Sequence, residues 1–193
     1  MAHVFVVYRR TNPHPQVKHV VDALVAAHGP QRIVTEISGL RGATGYRQEV
    51  AATIARSAGV IVVLGPDFIS SGDALGRGLL DDREDPLRIE IAAALKMRPN
   101  GTYFALVGGL EMPPANALPP PLRAMPRTAW VMLGGGNPFE EGVQQFVTIA
   151  AGLLSGSIRR TRLMIAAGVA VFVLLCVLFA VFMSQTSGSG GLF

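Results

Sequence analysis

Cysteine is almost missing from this chain: the single one, Cys176, lies in a stretch without charge. A disulfide framework and a thiolate metal site are therefore excluded. Histidine is scarce as well, and His3, His14, His19 and His28 fall in no spacing that a metal ion uses. No Cys or His stands where it would support a serine nucleophile. Glycine is plentiful, yet no G-x-G-x-x-G occurs, and Gly134-Gly135-Gly136 lacks the Lys-Ser/Thr of a phosphate loop. The N-terminal apolar run, Val4 to Tyr8, is too short for the core of a signal peptide and is followed by Arg9-Arg10, so the soluble part is expected to stay in the cytosol.

What the chain does have is apolar material. Half of its 193 residues are hydrophobic, enough for one domain with a sizeable core and something besides. The addition is Leu163 to Met183, an uncharged apolar run matching the ~20 residues that cross a bilayer as a helix. Arg159, Arg160 and Arg162 precede it, and no charged side chain follows, so the positive-inside bias places the N-terminal part in the cytoplasm. The expected organisation is a domain over 1–154, a short basic linker over 155–162, a single transmembrane helix over 163–183 and a short polar tail over 184–193. Much of the formal charge of +4 comes from the arginines beside the run. The basic balance thus reads as a signal of topology and of an anionic lipid bilayer as partner, with no nucleic acid.

Within the domain, apolar runs and helical patterns alternate. Val4 to Tyr8 reads as a central strand buried on both faces. A helix follows over about Pro15 to His28, with Val17, Val20, Val21, Leu24 and Val25 on one face and Gly29-Pro30 as its stop. Arg32 to Glu36 is a weaker second strand, and Ser38 to Gly45 a loop rich in glycine. Tyr46 to Ser57 is a helix packing Val50, Ile54 and Ala58, and Gly59 to Gly65 is the clearest strand. Ser70 to Glu84 reads as a loop, either a cover over a site or a solvated spacer. Tyr103 to Val107 and Ala129 to Leu133 are strands four and five, separated by an irregular Pro-rich connection, and a last helix runs from Asn137-Pro138 to about Leu154. Five short strands alternating with helices predict an α/β domain with a flavodoxin-like parallel sheet in the order 2-1-3-4-5 and helices on both faces.

Between strands three and four lies the helix that matters most for function. Asp85 suits its N-cap and Pro86 its first position. Leu87, Ile91, Ala94 and Leu95 form the buried stripe, which puts Glu90 on the stripe's edge, where it could look into a cleft or simply complement the helix dipole. In a sheet of this order, ligands sit beyond the carboxyl ends of strands 1 and 3. Those ends are Tyr8-Arg9-Arg10 and Gly65-Pro66-Asp67, so the arginines, the glycine loop and Glu90 should converge. Arginines after strand 1 exclude a magnesium-holding phosphate receiver. Thr11-Asn12-Pro13-His14-Pro15 has too few small residues for a flavin phosphate loop. The arginines could instead contact phosphate or serve as solubilising charges at a strand end.

Val4 to Arg10, the loop Glu36 to Gly42, Val60 to Phe68, and Asp85 to Leu95 with the Met112 to Leu122 segment together resemble the bacterial Toll/interleukin-1 receptor (TIR) domain, over about Val4 to Leu154. The resemblance implies cleavage of NAD, as substrate rather than cofactor, at the nicotinamide–ribose bond, with cyclisation in some members. Glu90 would be the catalytic glutamate. Tyr8, Arg9, Arg10, Gly42, Pro66 and Asp67 would contact the nucleotide, and no metal is implied. It further implies homo-oligomers formed through the domain, with the loop Ser38 to Gly45 against a neighbour, other TIR proteins as partners, and a place in bacterial immunity or signalling. Where members often carry Ser, Asp, Asp and Trp, this chain has Val7, Asn12, Glu36 and Pro86. The alternative implied is a non-catalytic, membrane-anchored scaffold that recruits other TIR proteins.

Overall fold

β1 (Val4–Val7) is four apolar residues with no exposed surface, all but one β-branched, as a strand covered on both faces requires. It is the second strand of a five-stranded sheet, all pairs parallel, in the order β2-β1-β3-β4-β5. The computed structural model describes residues 2–37, 45–70, 79–134 and 138–156. The expected span at 163–183, the linker from 157, the tail, and Gly42 with most of its loop lie outside the described residues. Among the described residues, no helix is long and apolar enough to cross a membrane.

The remaining elements follow the punctuation of the sequence. α1 (Pro15–His28) is capped by His14, whose Nδ1 accepts from the Gln16 amide, and it ends on Gly29 at φ 83°, whose N–H bonds the Val25 carbonyl. β2 is only Ile33–Val34, shorter than the reading of Arg32 to Glu36, because two residues pair with β1 before Thr35 turns away. α2 (Tyr46–Arg56) leads to β3 (Gly59–Leu64), and the short α3 (Asp67–Ser70) follows it. Part of the expected loop before the fourth α-helix is a single 3-10 turn, Leu79–Asp81. α4 (Pro86–Met97) has Asp85 as its cap, accepting from the Arg88 amide at 3.2 Å, and Pro86 in its first turn. β4 (Thr102–Leu106) and β5 (Ala129–Met132) complete the sheet, and α5 covers residues 139–156.

The sheet divides the core by strand alternation. Phe5, Val7, Val60, Val62, Phe104 and Leu106 face α2 and α4, whereas Val4, Val6, Ile61, Val63 and Ala105 face α1 and α5. The Pro-rich connection from β4 to β5 forms no α-helix. Its three 3-10 turns, Ala115–Ala117, Pro120–Leu122 and Met125–Arg127, bring buried Leu118, Leu122 and Met125 onto the α4 side. With no helix there, Trp130 on β5, which pairs with Phe104, is left 42% exposed.

Candidate functional site

β1 stops at Val7, so Tyr8, Arg9 and Arg10 enter a loop at the carboxyl edge of the sheet, and the loop passes Asn12 at φ 50° before α1 begins. Arg10 turns inward. Its Nε donates to the Thr35 carbonyl at 2.7 Å, and its Nη1 donates to Glu90 Oε1 at 2.8 Å. The Tyr8 ring lies 5.6 Å from the Arg10 guanidinium carbon, within cation–π range. Arg10 thus ties the end of β2 to α4 across the top of β1.

Glu90 has no exposed surface. It therefore does not sit on the edge of the buried stripe, as the spacing on α4 suggests, but within the buried face. The reason is that α4 packs against α2, the end of β1 and the Pro120–Leu122 turn at once, so a wide arc of the helix is covered. Besides Arg10, the Tyr46 hydroxyl donates to Glu90 Oε1. Tyr46 opens α2, directly after the glycine-rich loop, and is itself 6% exposed. The sequence reading missed this tyrosine. Its only signals are a polar group on an aromatic ring at the first position of α2, and the packing of α2 on α4.

A second ion pair runs beside the first. Arg9 spans Asp85 with Nη1 to Oδ1 at 3.2 Å and Nη2 to Oδ2 at 3.5 Å, the carboxylate that also caps α4. The segment entering α4 is further held by Arg88, whose Nη1 donates to the carbonyls of Leu80 and Asp81, and by Arg47, which bonds Glu84 and the Arg83 carbonyl. Arg9, Arg10, Arg47 and Arg88 thus each reach an acceptor on a different element or on the loop before α4. The first turn of α4 is consequently built from outside the helix.

Pro66 and Asp67 follow β3 on the neighbouring strand end. Pro66 packs on Gly108, where a Cβ would come 2.8 Å from the proline ring and where φ is +67°, so the two strand-end turns approach as closely as glycine allows. Asp67 and Arg9 line a narrow recess with Val17, Gly65, Phe68 and Leu87. Among the described residues, Asp67 Oδ1 and Arg9 Nε are buried there without a hydrogen-bond partner, as is Arg10 Nη2 near Glu90. Tyr8, Arg9, Arg10, Pro66, Asp67 and Glu90 thus share one edge of the sheet. Among the described residues, no cluster of His, Cys, Asp or Glu could hold a metal ion. A groove of about 430 Å³ lies along α4, lined by Ile89, Ala92, Ala93, Leu95 and Pro121 together with Arg47 and Lys96.

A buried carboxylate with two donors on one oxygen is a costly arrangement. Replacing such a pair by packed apolar residues is often neutral or stabilising. The cluster is therefore poorly explained as a stability device, and buried titratable groups at a strand-end crevice are where functional sites concentrate. Chemically, the arrangement offers one carboxylate, an adjacent phenol and two guanidiniums whose remaining donors suit phosphate oxygens. Comparison with known proteins finds no family model that matches the chain and no matching curated relative.

Proposed function

We propose that this chain is a membrane-anchored TIR-domain protein that cleaves NAD at the nicotinamide–ribose bond when it self-associates, with Glu90 as the catalytic residue. The observation that carries the reading is the placement of Glu90: a carboxylate without exposed surface, bonded by Arg10 and Tyr46, at the carboxyl edge of a flavodoxin-like sheet. In the reaction, the bond from the ribose to the pyridinium nitrogen breaks with its electron pair on nicotinamide, which leaves neutral. Water then adds to the ribosyl cation and loses a proton to solvent, or an adenine nitrogen closes a ring. No strong acid is needed. The charge that develops on the ribose is what must be stabilised, and a preorganised carboxylate does so.

Arg9 and Arg10 suit the pyrophosphate in this reading. Both guanidiniums bond carboxylates, so nucleotide binding exchanges one anion for another: Arg10 moves from Glu90 toward phosphate as the ribose hydroxyls approach the carboxylate. Pro66 and Asp67 border the same crevice, and Gly42 would be presented with its loop to a second copy. The run Leu163 to Met183 would hold the domain at the cytoplasmic face of a membrane and raise its local concentration, which favours assembly.

A specific observation favours the second reading, a non-catalytic scaffold that recruits other TIR proteins. Arg9 and Arg10 are both engaged in internal ion pairs, and Pro86 stands where members of the family often carry tryptophan. The deciding experiment is loss of NAD from the full chain reconstituted in vesicles, beside Glu90→Ala. Loss confined to the unaltered chain supports the enzyme. Intact NAD in both, with clustering of the protein, supports the scaffold.

A further inference from the structure

Basic residues stand at both edges of the sheet, but among the described residues acidic ones are missing from one of them. In a parallel sheet every strand begins at one edge, so the residues that precede strands share that edge. Arg32 precedes β2, Arg56 closes α2 before β3, Lys96 and Arg98 end α4 before β4, and Arg123 and Arg127 lead into β5. Their proximity is visible in cross-links. Arg98 donates to the carbonyls of Ile54 and Ala55 at the end of α2, and the Ala58 amide bonds the His3 carbonyl beside β1. No acidic residue lies at this edge among the described residues. Glu36, Asp67, Glu90 and Glu111 follow strands or begin helices at the other edge, as do Glu49, Glu140 and Glu141, and Asp22 is midway along α1.

Helix dipoles account for one basic residue in the last turn of α2 and one in that of α4. They do not account for Arg32, Arg123 or Arg127, which lie in connections. Arg56, Lys96, Arg123 and Arg127 are exposed. The apolar face of this end is not idle either, since Met97 is 40% exposed beside them. The chain also leaves the domain here: α5 runs antiparallel to the strands, its Leu153 packing at Gly59, the first residue of β3. In the sequence, three further arginines and then the apolar run follow within a few residues.

We infer that the strand-start edge of the domain is a docking face for an anionic bilayer, which turns the Glu90 edge toward the cytosol. The inference rests on the anchor part of the proposed function, not on its chemistry. Each basic side chain near an anionic surface favours contact about fivefold, so three together amount to on the order of a hundredfold.

The test uses the full chain reconstituted in vesicles of phosphatidylcholine alone or mixed with phosphatidylglycerol, with a dansyl lipid as acceptor. Trp130, the one tryptophan of the chain, is the donor, and as the second residue of β5 it lies near the edge in question. Energy transfer is expected to be at least about twofold higher in the phosphatidylglycerol vesicles. That gain should vanish in high salt, in Arg56→Glu/Lys96→Glu/Arg127→Glu and in the milder Arg56→Gln/Lys96→Gln/Arg127→Gln, and persist in Arg83→Glu. Equal transfer in both vesicles overturns the docking face, as does an equal loss in Arg83→Glu, and so does a gain abolished by an oligonucleotide competitor but not by salt. Resistance to alkaline extraction reports the anchor separately. Extraction from both vesicles with transfer still specific for phosphatidylglycerol would remove the anchor and keep the face.

Discussion

Tyr46 and Glu90 share a hydrogen bond between the first residue of α2 and a buried carboxylate of α4, and Arg10 donates to the same Oε1. Three elements that are distant in the chain, the loop after β1, the start of α2 and the first half of α4, therefore meet on one oxygen atom. Changing any of the three side chains alters what the other two face. That dependence allows the site to be dissected by substitution, with folding and reaction read separately.

Tyr46→Phe keeps the ring in the core and removes only the O–H. A hydrogen bond to a charged group contributes about 1.5–3 kcal/mol, so the urea midpoint should fall by a corresponding amount with an unchanged slope. A midpoint that does not move would mean that the phenol holds Glu90 no better than water does.

Glu90→Gln keeps the shape and can still accept from Tyr46 and Arg10, but it cannot balance a developing positive charge. If the chain cleaves NAD as proposed, the activity should drop by about a hundredfold or more. The folded fraction, read by circular dichroism at the assay temperature, should remain high enough to interpret the loss. Cleavage within a few-fold of the unaltered chain would remove Glu90 from the catalytic role.

How much of this was legible in the sequence differs from element to element. The parallel sheet is legible from five apolar runs alternating with helical periods, because a buried parallel sheet leaves a composition signal in each strand. Its order is legible from the strand count, which fits one of the two common doubly wound arrangements. The start of α4 was readable from Asp85-Pro86, a local device that acts within one turn. The depth of Glu90 was not readable. Helical spacing defines a stripe, but the width of the buried arc depends on how many neighbours cover the helix, and the Pro120–Leu122 turn covers α4 from far along the chain. The Arg10 bond to the Thr35 carbonyl and the Tyr46 bond to Glu90 were invisible for the same reason, since side-chain partners separated by 25 and 44 positions leave no local pattern. β2 was read too long because β-propensity extends beyond the two residues that find a partner strand.

Arg10→Met leaves the Glu90 carboxylate buried without its guanidinium. Breaking a buried pair by removing one partner costs about 3–5 kcal/mol, whereas removing both often costs far less. Arg10→Met/Glu90→Met is therefore expected to be more stable than Arg10→Met alone. A double-mutant cycle by chemical denaturation should show a coupling of about 1–3 kcal/mol. Strict additivity would mean that the two side chains are independently solvated.

Asp85 has two tasks that substitution can separate. Its side chain caps α4 through the Arg88 amide and receives both outer nitrogens of Arg9. Asp85→Asn keeps a capping oxygen and loses the charge, so any excess cost of Asp85→Ala over Asp85→Asn reports the cap, expected at about 1 kcal/mol. The cost of Asp85→Asn reports the pair, and salt should reduce it only weakly, because the two side chains are 5% and 14% exposed.

Gly108 and Gly109 make a matched pair for testing how closely the turns at the site's border must approach. Both have positive φ, +67° and +74°, so alanine at either should cost on the order of 1 kcal/mol or somewhat more for the backbone alone. They differ in what the added methyl would meet. At Gly109 nothing lies within 4 Å, whereas at Gly108 the Cβ would come 2.8 Å from two carbons of the Pro66 ring and 3.2 Å from His14. Pro66 cannot yield by rotating a flexible chain, because its ring is closed on its own backbone. Relief therefore requires the turn after β3 to shift, and Asp67 to shift with it. Gly108→Ala is thus expected to cost about 1–3 kcal/mol more than Gly109→Ala in thermal or urea unfolding. In a chain that cleaves NAD it should also raise KM more than Gly109→Ala does, through displacement of Pro66 and Asp67. Equal stability losses for the two variants would mean that the β3 turn gives way freely. In that case Pro66 and Asp67 are not held in register with Arg9, and the recess between them does not define a fixed wall of the site.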